Sequence, residues 1–230
     1  QATGRSTLSY AGLCRPRQAP GRMGNSTEEK EDERVARGKA AAAKHDRFNM
    51  IAIPPLVGLT ALSLVTKSKR MHLALSWSVF SYIWADFSWT SLVPHSQPSS
   101  LRAISILVHH ALTALLVMHP IRTPDNLHFT AYATIVEINT VFSVAKKVLK
   151  WPWLNTGFLV SWLAMRLVWY PYLVYLFHKR LRSQGYASTG RVYAQVVGSQ
   201  VLLCILNFLW TAEAVQAMRK RKGKKEEEKT

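Results

Sequence analysis

The chain has 230 residues, a formal net charge of +17 and a mean hydropathy of −0.01. That mean looks soluble, but it averages polar ends, 1–47 and 219–230, with a middle rich in Leu, Val, Ile, Ala and aromatics. Ten of the 30 Lys and Arg lie in 1–47 and seven in 219–230; most of the rest close apolar runs, where basic side chains meet lipid head groups, and with no nucleic-acid motif this placement argues against nucleic acid as a partner.

Residues 1–47 hold Gly, Pro, Ser, Arg and a charge cluster from Glu28 to Arg37, with few large apolar side chains. Such a segment buries too little to order itself and is expected to be a disordered basic N-terminal tail. It has no apolar run suited to a signal peptide. Met23 can serve as a start, leaving 1–22 upstream; Gly24 would then come second, but Glu28 stands where a myristoylation signal has Ser or Thr. Asn25-Ser26-Thr27 is a glycosylation sequon, of use only on a lumenal tail. The two cysteines, Cys14 in this tail and Cys204 in the last apolar run, suggest neither a disulfide framework nor a zinc site, and no metal is expected.

Six apolar runs follow, of 18 to 27 residues each, against the roughly 20 that a helix needs to cross the hydrocarbon. The first, 48–65, carries Pro54-Pro55 and is closed by Lys67-Ser68-Lys69-Arg70. The second, 72–93, ends in the turn-like Pro94-His95-Ser96-Gln97-Pro98. The third, 101–118, is closed by His119-Pro120-Ile121-Arg122-Thr123-Pro124. The fourth, 128–149, has a polar middle and ends near Lys146-Lys147, which would have to snorkel. The fifth, 154–177, begins at the interfacial Trp151-Pro152-Trp153 and closes on His178-Lys179-Arg180-Leu181-Arg182. The sixth, 192–218, leads into a C-terminal tail, 219–230, of mixed basic and acidic residues. With both termini cytoplasmic, that side of the membrane holds 21 basic residues and the other side 8, as the positive-inside rule asks.

A charged side chain at the bilayer centre costs about 2.5–3.5 kcal/mol on insertion scales, so those present are candidates for function. They are Asp86, His109, His110, Glu137 and Arg166. At about 1.5 Å per residue, Asp86 and His109 lie roughly 10 and 13 Å from the 94–100 turn, Glu137 about 15 Å and Arg166 about 18 Å into their runs. The depths overlap, so one bundle could bring all five to one interior cavity. Ser105, His109 and Thr113 repeat at four, and Thr130, Thr134, Glu137 and Thr140 form a helical stripe. Arg166 shares a face with Trp162 and Trp169 by the same spacing. A purely structural alternative is a buried ion pair of Arg166 with Glu137 or Asp86. Glu213, close to the end of the last run, is expected at the interface.

Four pieces in order, Tyr82-Ile83-Trp84-Ala85-Asp86, His109-His110-Ala111-Leu112, Glu137-Ile138-Asn139-Thr140-Val141-Phe142 and Arg166-Leu167-Val168-Trp169-Tyr170-Pro171, resemble the TLC domain family over about residues 50–215. The family includes ceramide synthases, translocon-associated TRAM proteins and smaller TLC-domain proteins linked to lipid composition. The order and spacing resemble the small members. Asn139 and Val141 stand where those usually have Ser and Pro, and after the His pair only Asp125 answers the aspartates of the ceramide-synthase signature. The resemblance implies an all-α integral membrane bundle or barrel of about six transmembrane helices, with an interior cavity that admits a lipid or acyl chain.

Three functions follow as expectations. The first is a lipid-handling protein of the endoplasmic reticulum or another endomembrane, with the plasma membrane as the alternative, that influences lipid composition, with membrane lipids as partners, no cofactor, and Tyr82, Glu137, Asn139, Trp162, Arg166 and Trp169 lining a lipid site. The second is an acyltransferase taking acyl-CoA, with His109 or His110 as general base or acyl acceptor, Asp86 or Glu137 orienting the imidazole and Arg166 on an anionic head group. The third is a transporter or a structural adaptor; no internal symmetry between the halves favours transport.

Overall fold

The computed structural model describes residues 26–186, 188 and 190–227. Cys14, Met23, Gly24 and Asn25 of the sequon lie outside the described residues. The chain divides into two compact units, 1–36 and 37–230, and all site residues belong to the second. In the first, Arg34 sits 3.9 Å from Glu31 on an exposed face.

Helix α1 runs Ser26–Thr66. Residues 26–47, expected to be disordered, are therefore helical. The physical reason is local: Glu, Lys, Arg and Ala, which lose little on entering a helix, dominate this stretch. Helix α2 spans Lys69–Leu92 and α3 spans Ser100–Arg122, with Ser99 accepting from the Arg102 amide as an N-cap. The expected fourth span is two helices, α4 His128–Thr134 and α5 Glu137–Leu149. Thr134, Ile135 and Val136 put three β-branched residues in succession, which crowds helical backbone. The turn is tightened by i→i+3 bonds from the amides of Ile138 and Asn139 to the carbonyls of Ile135 and Val136, at 3.2 and 2.9 Å.

Helix α6, Pro152–Trp162, passes through a π-helical segment, Leu163–Trp169, into α7, Tyr170–Ser183. A short α8, Arg191–Tyr193, passes through a second π-segment, Ala194–Gly198, into α9, Ser199–Glu227, so the helix continues into the expected C-terminal tail.

The surface pattern is that of a protein solvated by lipid. On α3, Leu101, Ile104, Val108 and Leu115 face outward while His110 and His119 are buried. On α9, Leu202, Ile205, Phe208 and Leu209 are exposed while Gln200 and Asn207 are fully buried. Polar groups inside and apolar groups outside is the arrangement a hydrocarbon solvent selects. Among the described residues, four helices are long and apolar enough to cross a membrane: Lys30–Thr66, Ser100–Arg122, Pro152–Ser183 and Arg191–Ala217. Of the other two expected spans, α2 is long enough but enriched in Ser around Asp86, and the fourth is interrupted at Ile135.

Two apolar clusters hold the helices together. One joins Leu116, Phe129, Tyr170, Phe177 and Leu203; the other joins Leu56, Leu75, Val79, Ile83 and Val117. Hydroxyls tie the second: Ser63 Oγ lies 2.5 Å from His72 Nδ1, and Ser76 donates to Thr130 at 2.8 Å. Helix α5 packs on α6 closely enough that a Cβ on Gly157 would come within 2.8 Å of the Phe142 ring. Lys146 lies over the Phe158 ring and Lys147 bonds Asp46 at 2.9 Å.

Candidate functional site

Between the two clusters lies an interior cavity of about 200 Å³. Asp86, His109, His110, Glu137 and Arg166, the five groups placed at overlapping depth by counting along the spans, all line it. Leu56, Val79, Leu116 and Val117 supply apolar wall from both clusters. The polar stripe holds across the α4–α5 turn, since Thr134, Glu137 and Thr140 all line the cavity; Thr130 lies one turn away, bonded to Ser76.

On one wall Asp86 accepts from two imidazoles, His110 on Oδ2 and His45 on Oδ1. His110 also donates from Nδ1 to the Ile106 carbonyl at 2.8 Å, so both of its ring nitrogens are engaged. His45 stacks on Trp89, with ring centroids 5.8 Å apart and planes 7° from parallel. Tyr82 lines the cavity next to this group and donates to Asn49 Oδ1 at 3.0 Å.

His109 points elsewhere, as adjacent helical residues must. Its ring lies 5.3 Å from that of Trp210, and its buried Nδ1 has no hydrogen-bond partner. Trp210 donates to Ser105 Oγ at 3.3 Å and carries the Arg102 guanidinium 4.5 Å above its ring. Arg102 pairs in turn with Glu213 at 3.6 Å, where Glu213 is exposed.

Arg166 forms no ion pair with Asp86 or Glu137, so the structural alternative of a buried salt bridge is corrected. Its guanidinium donates from Nη1 to Asn207 Oδ1 at 3.1 Å and from Nη2 to Thr140 Oγ1 at 3.3 Å. Nε is buried without a partner. Both contacts are neutral, so among the described residues the charge of a 7 % exposed arginine has no counter-ion in contact. Glu137, half-buried on the cavity wall, makes no hydrogen bond or ion pair among the described residues.

Three expected lining residues are absent from the wall. Asn139 donates to the Phe158 carbonyl and Ser161 Oγ at 3.2 and 3.0 Å, fastening α5 to α6. Trp162 donates to Thr211 at 2.9 Å, though its ring still lies 5.5 Å from the Arg166 guanidinium. Trp169 donates to the Tyr132 carbonyl at 2.9 Å, and the aromatic on the far side of Arg166 is Tyr170, at 5.9 Å. The π-helical segment explains that exchange: its wider turn brings i+4 rather than i+3 over Arg166.

Sequence reasoning missed His45, Asn49, Arg102, Tyr170 and Trp210. His45 and Asn49 are one turn apart, a polar pair at the mouth of an apolar run, but His45 fell inside a segment set aside as tail. Arg102 lay at a span end, where a basic residue has an ordinary explanation.

The fold and site define a helical integral membrane protein with a polar interior cavity. The TLC domain family model matches residues 58–216, more than half of the chain, and the protein belongs to that family, a membership that points to lipid handling. No curated protein and no solved structure matches the chain.

Proposed function

We propose that this protein binds the polar end of a membrane amphiphile in its interior cavity and through that binding influences membrane lipid composition. The observation that carries the reading is the Arg166 side chain: buried, charged, opposed by neutral partners, and with its Nε–H unpartnered among the described residues. A buried donor left unmade costs about 1–3 kcal/mol, which an oxygen of a head group would recover. The apolar wall suits the start of an acyl chain, and the few polar groups fix its orientation. The Asp86 couple fits a positioning role better than a catalytic one, because neither nitrogen of His110 is free to take a proton from a ligand.

A second reading, acyl transfer from acyl-CoA, rests on His109, which lines the cavity with no hydrogen bond to its ring. In that chemistry His109 would take the proton of an amine or hydroxyl as its nitrogen or oxygen bonds to the thioester carbonyl carbon, and would return it to the CoA sulfur as the C–S bond breaks. The weak answer of Asp125 to the ceramide-synthase aspartates favours kinship with the small TLC-domain proteins. The distribution of Lys and Arg supports cytoplasmic termini, and the lipid role suits the endoplasmic reticulum or another endomembrane.

The test is comparative lipidomics of cells expressing wild type, Arg166→Ala and His109→Ala/His110→Ala at matched protein levels. Wild type is expected to shift the lipid profile and Arg166→Ala to lose the shift. A new acylated product that depends on the histidines alone would move the second reading ahead. Identical profiles for wild type and Arg166→Ala would defeat the cavity as a lipid site.

A further inference from the structure

The outer, membrane-facing side of the α2–α3 pair carries an apolar groove of about 330 Å³. Its rims are aromatic on α2 (Phe80, Trp84, Phe87) and aliphatic on α3 (Leu115, Met118). The opening comes from helical spacing: Ala111 and Ala114 stand where larger side chains would close the gap against those aromatics. Phe80 to Phe87, and Ala111 to Met118, each cover about 10 Å of helix axis, room for a stretch of extended acyl chain. At the floor lie Ile83 and His110, 5 % and 9 % exposed. The same two side chains form part of the wall of the interior cavity. Polar cavity and apolar groove are thus separated by a partition one side chain thick. A second membrane-facing groove, between α1 and the α4–α5 turn and lined by Val57, Leu64 and Ile138, shares no residue with the cavity.

We infer that the α2–α3 groove holds the acyl chain of the amphiphile whose polar end sits in the cavity, the chain passing over Ile83 and His110. The inference rests on the cavity being a head-group site. Continuity with that cavity commits the groove to a chain: the polar side of the partition attracts the head group, and the chain of the same molecule must leave through an apolar wall. On the groove side that wall is aromatic and aliphatic throughout apart from His110, whose polar nitrogens are spent on Asp86 and Ile106. The chain therefore meets no unsatisfied polar atom of that ring. The two engaged nitrogens also fix the imidazole plane, so the height of the partition is set by the same bonds that hold Asp86.

The experiment feeds expressing cells a fatty acid with a mid-chain diazirine and a terminal alkyne, irradiates them, purifies the full chain and maps adducts by mass spectrometry. Adducts are expected to concentrate on 80–87 and 111–118, severalfold above both the lipid-facing stretch 201–209 and the α1–α5 groove at 57–65 and 135–138. Ala114→Phe, which fills the groove from its floor, and Ala111→Trp, which fills it from the exposed side, should each remove that excess. Arg166→Gln should remove it too, since the chain is held by its head group. Adducts no denser in the groove than on 201–209, or unchanged by both filling variants, would overturn the inference. So would groove adducts that vanish on filling yet persist in Arg166→Gln, because the chain would then be independent of the cavity. Retained lipid, extracted from the same preparations, separates the two failures: lipid lost in Arg166→Gln while adducts map elsewhere leaves the head-group site standing without the groove. Equal retention in both proteins removes the head-group site itself.

Discussion

Two buried polar groups in this molecule behave in opposite ways. Near the ends of α3 and α7, Asn126, fully buried in the turn before α4, donates to His119 Nε2 and Gln184 Oε1 at 3.1 and 2.9 Å. Its Oδ1 accepts from Gln184 Nε2 at 3.1 Å and from Arg180 Nε at 3.5 Å. Every polar atom of that amide has a protein partner, and the cluster ties the turn to the end of α7. In the cavity, by contrast, Arg166 Nε and His109 Nδ1 are buried without partners among the described residues, and Glu137 faces the space with none there either. Burying polar groups is costly in both places, so the satisfied cluster reads as structure and the unsatisfied one as a site built to meet something else.

The comparison can be broken where its halves meet. Asp86→Ala carries the largest expected effect: it leaves His45 and His110 facing an empty place, at a cost of roughly 3–5 kcal/mol for breaking a buried ionic group. Thermal unfolding in detergent should show the loss, and the lipid bound per folded molecule should fall as well. Asn126→Ala comes next, at roughly 1–3 kcal/mol for the orphaned partners. It should lower the melting temperature while leaving lipid per folded molecule unchanged; a fall in bound lipid at constant fold would erase the distinction between the clusters. Lys147→Ala is the smallest. Its contact with Asp46 is half-exposed, and a change of about 0–1 kcal/mol is expected in the same unfolding measurement.

How much of this could be read from sequence follows the same physics. Asp86, His109, His110, Glu137 and Arg166 stood out because charge at membrane depth has few ordinary explanations. Their convergence followed from counting residues from shared turns. The partners did not stand out. Thr140 stands in the polar stripe but not as a partner of Arg166, Asn207 is a lone neutral residue of the last span, and nothing in the residue order says that Arg166 would choose them over a carboxylate. His45 was hidden by the composition of its neighbours, which marks a lack of apolar burial but says little about helix formation by Ala, Glu and Lys. The π-helical segment at Leu163–Trp169 leaves no mark in the apolar periodicity, so α-helical spacing puts Trp169 on the face that Tyr170 takes. The break at Ile135 was obscured because the polar stripe keeps its spacing across it.

The most direct measurement is the lipid that stays with the protein. Wild type and Arg166→Gln, purified in the same detergent and matched for folded protein, would be extracted and their lipids quantified by mass spectrometry, with Asn126→Ala alongside. Gln keeps a donor for Asn207, so the variant should fold. Wild type and Asn126→Ala are predicted to retain a defined amphiphile that Arg166→Gln has lost. Equal retention by wild type and Arg166→Gln would contradict the cavity as its binding site.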